Sequence, residues 1–271
     1  MKLTLLWVMA LGMLLSCKKD AATDKPEPPA PTYALTAKAA DINDNIGGYY
    51  EALSPEYAGN TRKYPLLVFL HGQGSLGNGT TELSRVLYYG LPKLLSKQTF
   101  PLNTNAGDTQ YNFIVLIPQF KEMPNADPEQ LKDVLDFAKA NYRVDESRIY
   151  LVGMSMGGGV VWDYAGMKNE FAAEIAAMVP VCGGSFPSRS KAAVIARNAI
   201  PIWAFHNKDD QTVAFENSQN YISWINENKP LIAPRFTVRD TGGHDAWTMA
   251  CDPAYKEEGT NIYEWLLKYK R

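Results

Sequence analysis

Six apolar runs between residues 65 and 240 constrain this chain more than anything else in it: PLLVFL (65–70), NFIVLIP (112–118), RIYLVG (148–153), AAMVPVC (176–182), IPIWAFH (200–206) and RFTVRD (235–240). They are continuous, without the alternation that marks a strand with one wet face. A strand buried on both faces must be covered on both, and segments with helical spacing lie around the runs at 82–97, 127–142, 157–168, 216–228 and 259–270. The second opens with Asp127-Pro128, a capping side chain followed by the residue best suited to the first helical position. The alternation predicts an α/β fold: a doubly wound, mostly parallel sheet with helices on both faces. The earlier stretch 33–54 adds one or two antiparallel strands at an edge. Such a sheet gathers reacting groups at the carboxyl ends of its strands, so each candidate is judged by whether it follows one.

The 271 residues suffice for one large domain, and 46% hydrophobic content can fill its core. Net charge is −2 and the lysines and arginines are scattered, so nothing points to nucleic acid as a partner. The first residues, MKLTLLWVMALGMLLSC, carry one early lysine and an apolar run too short to span a bilayer. Leu14-Leu15-Ser16-Cys17 resembles a bacterial lipobox, in which Cys17 is lipidated; an ordinary signal cleaved elsewhere is the alternative. The expected organisation is a lipoprotein signal peptide at 1–16, a Pro/Ala-rich tether at 17–32 and a folded domain at 33–271. The chain is then exported and held to a cell-envelope membrane by lipid. Export permits a disulfide between Cys182 and Cys251, but two buried free thiols are the preferred reading.

Gly72, Gly74 and Gly77 follow a strand as G-x-G-x-x-G, the outline of a dinucleotide fingerprint. That site needs a helix opening at the third glycine and an acidic residue about 20 positions on. Here Asn78-Gly79-Thr80 continue the turn, and the next strand runs into Pro118-Gln119. No G-x-x-x-x-G-K-[ST] occurs, and His71, His206 and His244 form no H-E-x-x-H-like ligand pair, so no metal site is assigned.

Gly153-Met154-Ser155-Met156-Gly157 is G-x-S-x-G where a strand should turn into a helix. That context pushes the serine oxygen out above the sheet edge and aims the N–H groups of the following helix at it, which makes Ser155 a candidate nucleophile. Its base should follow an acid, in the chain order Ser, Asp or Glu, His. His244, in the glycine-flanked TGGHDAW, leaves room for that acid; His206 does not, and is read as a structural residue of its loop. Asp210 is the preferred acid in the turn after IPIWAFH, with Asp209 and then Asp245 as alternatives. Negative charge developing on a substrate oxygen needs two backbone donors, assigned to Met156 and Gln73. Trp247, Tyr88 and Tyr89 are candidate substrate contacts that could equally serve packing.

With YPLLVFLHGQG, RIYLVGMSMGG, PIWAFHNKDDQTV and GGHDAW in this order, residues 45–271 resemble an α/β-hydrolase. The nearest branch is the carboxylesterases that include feruloyl and acetyl-xylan esterases, dienelactone-hydrolase-like proteins and predicted peptidases. The resemblance implies a cofactor-free serine hydrolase acting through an acyl-enzyme on small-molecule or polysaccharide esters, with 33–271 as its catalytic domain. Asp210 then matches the acid of an H-G-x-x-D-x-x-V pattern. The chain departs from that pattern at Asn207, usually glycine, and at Ala214, commonly proline, which leaves Asp209 open as the acid. A serine peptidase, and less so a non-catalytic carbohydrate- or protein-binding lipoprotein, are the rival readings.

Overall fold

The computed structural model describes residues 30–124 and 127–271. The expected leader, Cys17 and nearly all of the tether lie outside the described residues.

An antiparallel pair, β1 (Ala34–Asn43) and β2 (Ile46–Leu53), forms one edge of the main sheet, as the early stretch predicts. There follow β3 (Tyr64–Leu70), α1 (Gly90–Ser96), a small hairpin of β4 (Thr104–Ala106) and β5 (Thr109–Tyr111), β6 (Ile114–Phe120) and α2 (Glu129–Asn141). Next come β7 (Val144–Met154), α3 (Met156–Met167), α4 (Asn169–Glu174), β8 (Ala177–Val181) and α5 (Arg189–Arg197). The chain continues through β9 (Trp203–Asn207), α6 (Phe215–Glu227), β10 (Arg235–Arg239), α7 (Trp247–Ala250) and α8 (Ile262–Leu266). The eight-stranded sheet has the order β1-β2-β6-β3-β7-β8-β9-β10, and every neighbour pair from β6 to β10 is parallel.

Continuous apolar strands have the explanation expected of them. In β3, Leu66, Val68 and Leu70 pack under α2, α3, α5 and α6, while Leu67 and Phe69 pack under α1, α7 and α8. Every residue of β3 and β6 is buried, so neither strand has a wet face on which to alternate. Pro128 is the N-cap of α2, one residue later than expected, and Asp127 just before it accepts on Oδ1 from Glu129 N at 3.0 Å.

Several helical segments differ from expectation, the short α4 and α7 among them. The 82–97 segment breaks at Tyr88-Tyr89, because Gly90 takes φ +59° against Phe69 and Tyr89 is extended. The C-terminal helix is short and starts at Ile262, where Asn261 and Glu264 form a reciprocal capping box. The unforeseen α5 is capped by Ser188, which accepts from Lys191 N.

Candidate active site

The turn from β7 into α3 is made by Ser155, at φ 53° and ψ −118°. A non-glycine residue there stores about 1–3 kcal/mol of backbone strain. Its surroundings hold it in place. Ser155 N donates to Val181 O at 2.9 Å, Ser155 O accepts from Gly159 N and Gly184 N, and Gly157 N donates to His71 O at 3.0 Å. The flanking glycines are there because other backbone occupies the space of a side chain. A Cβ on Gly153 would lie 2.3 Å from Gly157 O, and one on Gly157 would lie 2.1 Å from Leu70 O. Packed this closely, the turn leaves the Ser155 side chain one exit, over the sheet edge.

There it meets its predicted partners. Ser155 Oγ lies 2.8 Å from His244 Nε2, and His244 Nδ1 lies 2.7 Å from Asp210 Oδ2. Asp210 is 7% exposed, and its Oδ1 accepts from Thr212 N at 2.8 Å and Val213 N at 3.0 Å. Burial alone would raise its pKa. The hydrogen bonds from His244, Val213 and Thr212 outweigh burial and hold the carboxyl below its ordinary range.

The two alternative acids have other work. Asp209 accepts from Gly243 N at 2.8 Å and Gly242 N at 3.2 Å, clamping the loop that presents His244. Asp245 accepts from Thr248 N and Thr248 Oγ1 at the start of α7. Asn207, the departure from the expected glycine, donates from Nδ2 to Gly243 O at 3.0 Å. A side chain on Gly242, at φ +139°, would come within 2.6 Å of that same Nδ2. The asparagine and the glycine loop are thus fitted to each other. One contact escaped the sequence reading: His206 touches Asp210, with Nε2 to Oδ2 at 3.2 Å. The signal was its four-residue spacing from Asp210 across a tight turn.

The backbone N–H groups of Met156 and Gln73 donate to no acceptor among the described residues. Gln73 opens a 3-10 turn over Gln73–Ser75. This loop is pinned on both sides. His71 Nδ1 donates to Gly72 O at 2.8 Å, and its Nε2 accepts from Phe120 N at 3.0 Å. Burial lowers the His71 pKa to about 4, which matches a neutral ring with one donor and one acceptor. Gln119 bonds Ser75 O, Glu82 O and Gly79 N, so the apparent dinucleotide glycines belong to a loop knitted to β6.

Above Ser155 opens a cavity of about 600 Å³, lined by Gln73, Ser75, Tyr89, Met154, Thr212 and Trp247 among others. Trp247 stands edge to face on His244 at 5.2 Å, and Tyr89 edge to face on Trp247 at 6.1 Å. Tyr88 is exposed and is not part of the lining. Cys182 and Cys251 are free and buried. Potential ligand atoms of Cys182, Asp210 and His244 lie within 4.8 Å of one another. The carboxylate and imidazole are committed to each other, and burial pushes the Cys182 thiol up, away from the thiolate a metal would need.

Sheet order, strand-to-helix turn and convergent loops define an α/β-hydrolase. The sequence model of the dienelactone hydrolase family matches residues 89–233, over half of the chain, and the protein belongs to that family. The match takes in Ser155 and Asp210; His244 and Gln73 lie beyond it and are joined to the site by the fold. Among curated proteins, the bifunctional acetylxylan esterase/xylanase XynS20E of Neocallimastix patriciarum is 29% identical over 96 residues, 35% of this chain and 13% of that protein. A crystal structure of a thermostable esterase superposes with a TM-score of 0.62 at 26% identity, covering 89% of this chain and 64% of the other. A ferulic acid esterase shares the fold, with a TM-score of 0.55 at 16% identity over 80% of this chain and 93% of its own. This chain therefore spans less than two thirds of the esterase and a small part of the xylan-active protein. Family and neighbours together support an enzyme of the esterase or hydrolase type.

Proposed function

We propose that the protein is a serine hydrolase of carboxylic esters, with Ser155 as nucleophile, His244 as base and then acid, and Asp210 as the group that orients the imidazole. The carrying observation is the unbroken chain Ser155 Oγ, His244 Nε2, His244 Nδ1, Asp210 Oδ2 at 2.8 and 2.7 Å. In the first half-reaction Ser155 Oγ bonds to the ester carbonyl carbon as its proton passes to His244 Nε2. The carbonyl oxygen becomes anionic between the Met156 and Gln73 N–H groups, each worth about 3 kcal/mol of barrier. When the tetrahedral adduct collapses, the carbon–oxygen bond to the alcohol breaks and His244 returns the proton to the leaving oxygen. Water then attacks the acyl-Ser155 with the same base, releasing the acid and restoring the serine.

Acetyl or hydroxycinnamoyl esters carried on carbohydrate fit best. The Tyr89 and Trp247 faces beside Ser155 suit a flat acyl ring, and the acetylxylan esterase relative supports a sugar-borne ester. The reading extends to an exported enzyme lipidated at Cys17, tested by labelling with radioactive palmitate and its loss in Cys17→Ser. The catalytic test is initial-rate hydrolysis of p-nitrophenyl acetate and methyl ferulate by the full chain beside Ser155→Ala. Turnover is expected, falling about a million-fold in a folded variant. Cleavage of acyl-peptides with neither ester turned over would replace this reading with a peptidase.

A further inference from the structure

Two buried imidazoles at the site, His71 and His206, take no part in the reaction above, and His206 is the one that touches its carboxylate. His206, next to last in β9, is 1% exposed and reaches the same carboxylate oxygen as His244. Its Nε2 lies 3.2 Å from Asp210 Oδ2 and 3.1 Å from Val213 O, while its Nδ1 lies 2.8 Å from Ser218 Oγ of α6. Two acceptors at Nε2 and a hydroxyl at Nδ1 assign the tautomer: the proton sits on Nε2, and Ser218 donates to Nδ1. Burial lowers the His206 pKa, in keeping with a neutral ring. Asp210 then receives Thr212 and Val213 on Oδ1, and His244 and His206 on Oδ2. A carboxylate has about four lone-pair sites, and here all are filled.

We infer that His206 is a positioning residue for the reaction, its Nε2–H fixing the plane of the Asp210 carboxylate and sharing the charge with which Oδ2 holds His244. The inference rests on the Ser155–His244–Asp210 reading above. With Oδ1 alone anchored, the carboxylate can swing about its Cβ–Cγ bond and carry the His244 ring off line; the second imidazole stops that swing. Its competition for Oδ2 also weakens the pull on a positively charged His244. Several groups face His206. They are Asp210 on its own turn, Ser218 and the Phe215 ring from α6, Val238 beside it on β10, and His244 across the shared oxygen. From the end of β8, the Cys182 thiol lies near Asp210 and His244. The titratable members of this set among the described residues are Asp210, His244 and Cys182.

His206→Phe keeps a ring and removes the donor, while His206→Gln keeps an N–H and an acceptor. In His206→Phe, kcat should fall about tenfold with KM little changed, as expected for a base held slightly off line. The acid limb of kcat/KM should move up by about half a pH unit, because Oδ2 is then shared with no second donor. His206→Gln should keep most of the activity and the wild-type limb. Ser218→Ala, which releases the tautomer, should move both quantities the same way by less. The ring titration of His244, followed by NMR in the full chain, should move with the limb and needs no turnover. A folded His206→Phe with wild-type kcat and limb overturns the inference, and so does His206→Gln as impaired as His206→Phe, since packing alone would then explain the loss. If His206→Phe does not fold, an unmoved His244 titration in Ser218→Ala overturns it instead. Absence of ester turnover in the wild type, with a His244 titration that moves, sinks the hydrolase reading and leaves the positioning role standing.

Discussion

At the turn from β7 into α3, backbone meets backbone: Gly153 faces Gly157, Gly157 faces Leu70, and Ser155 is held at positive φ by amides and carbonyls. At the turn after β9, side chains do the holding. Asn207 and Asp209 grip the His244 loop, and His206 and Asp210 meet over one oxygen. The first turn is specified by what is missing from its residues, the second by what its residues carry. Strain in the first is therefore paid back by close packing, and errors there are steric. Errors in the second are losses of hydrogen bonds, which leave the fold largely intact and misalign the chemistry.

That contrast can be broken by experiment. Asp210→Asn changes one atom at the polar turn and is expected to lower kcat about ten-thousandfold, with a melting temperature close to wild type. A loss of stability as large as the loss of rate would show that the polar turn is also a folding element. Gly157→Ala should do the reverse, costing about 3 kcal/mol because its Cβ would lie 2.1 Å from Leu70 O. Thermal melts should then fall by about 8 °C; an unchanged melt with lost activity would merge the two turns into one class.

His71 links the two modes, since its carbonyl accepts from Gly157 while its ring pins the Gln73 loop. Its folded pKa of about 4 lies below the unfolded 6.5, so between those values the unfolded chain binds the extra proton. The stabilisation is present above 6.5 and is lost as pH falls toward 4, by about 3 kcal/mol in all. Urea unfolding at pH 7 and 4.5 should show the loss, and His71→Gln should flatten it. The smallest effect is expected for Asn207→Gly, about 1 kcal/mol from the lost bond to Gly243 O, with a several-fold fall in kcat and little change in KM.

The same contrast explains what could be read in advance. Apolar runs and glycine spacing are local properties, so the sheet, its antiparallel edge and the turn at Ser155 were legible. Asp209 and Asp210 both qualify by position, Asp210 being preferred and matching the pattern of the resemblance, and only coordinates separate two adjacent carboxylates, one turned to the imidazole and one to the glycine amides. His206 is the loop residue expected of it, bonded to Val213 O and Ser218 Oγ; its reach to Asp210 Oδ2 lay outside that reading, because a four-residue spacing does not say which oxygen a histidine meets. Short helices escaped for another reason: α4 and α7 have six and four residues, too few for a 3.6-residue period to declare itself.

Ser155 and His244 are 89 residues apart along the chain. They meet only when β7, β8, β9 and β10 stand in parallel register, since each strand end sets where the next turn emerges. Contacts of such long sequence separation form late and slowly in folding. On the proposed triad, turnover is consequently a readout of finished assembly: a partly folded chain can carry the serine turn complete and still be inert. Recovery of turnover during refolding should lag recovery of secondary structure, and the length of that lag times the docking of the sheet's far edge.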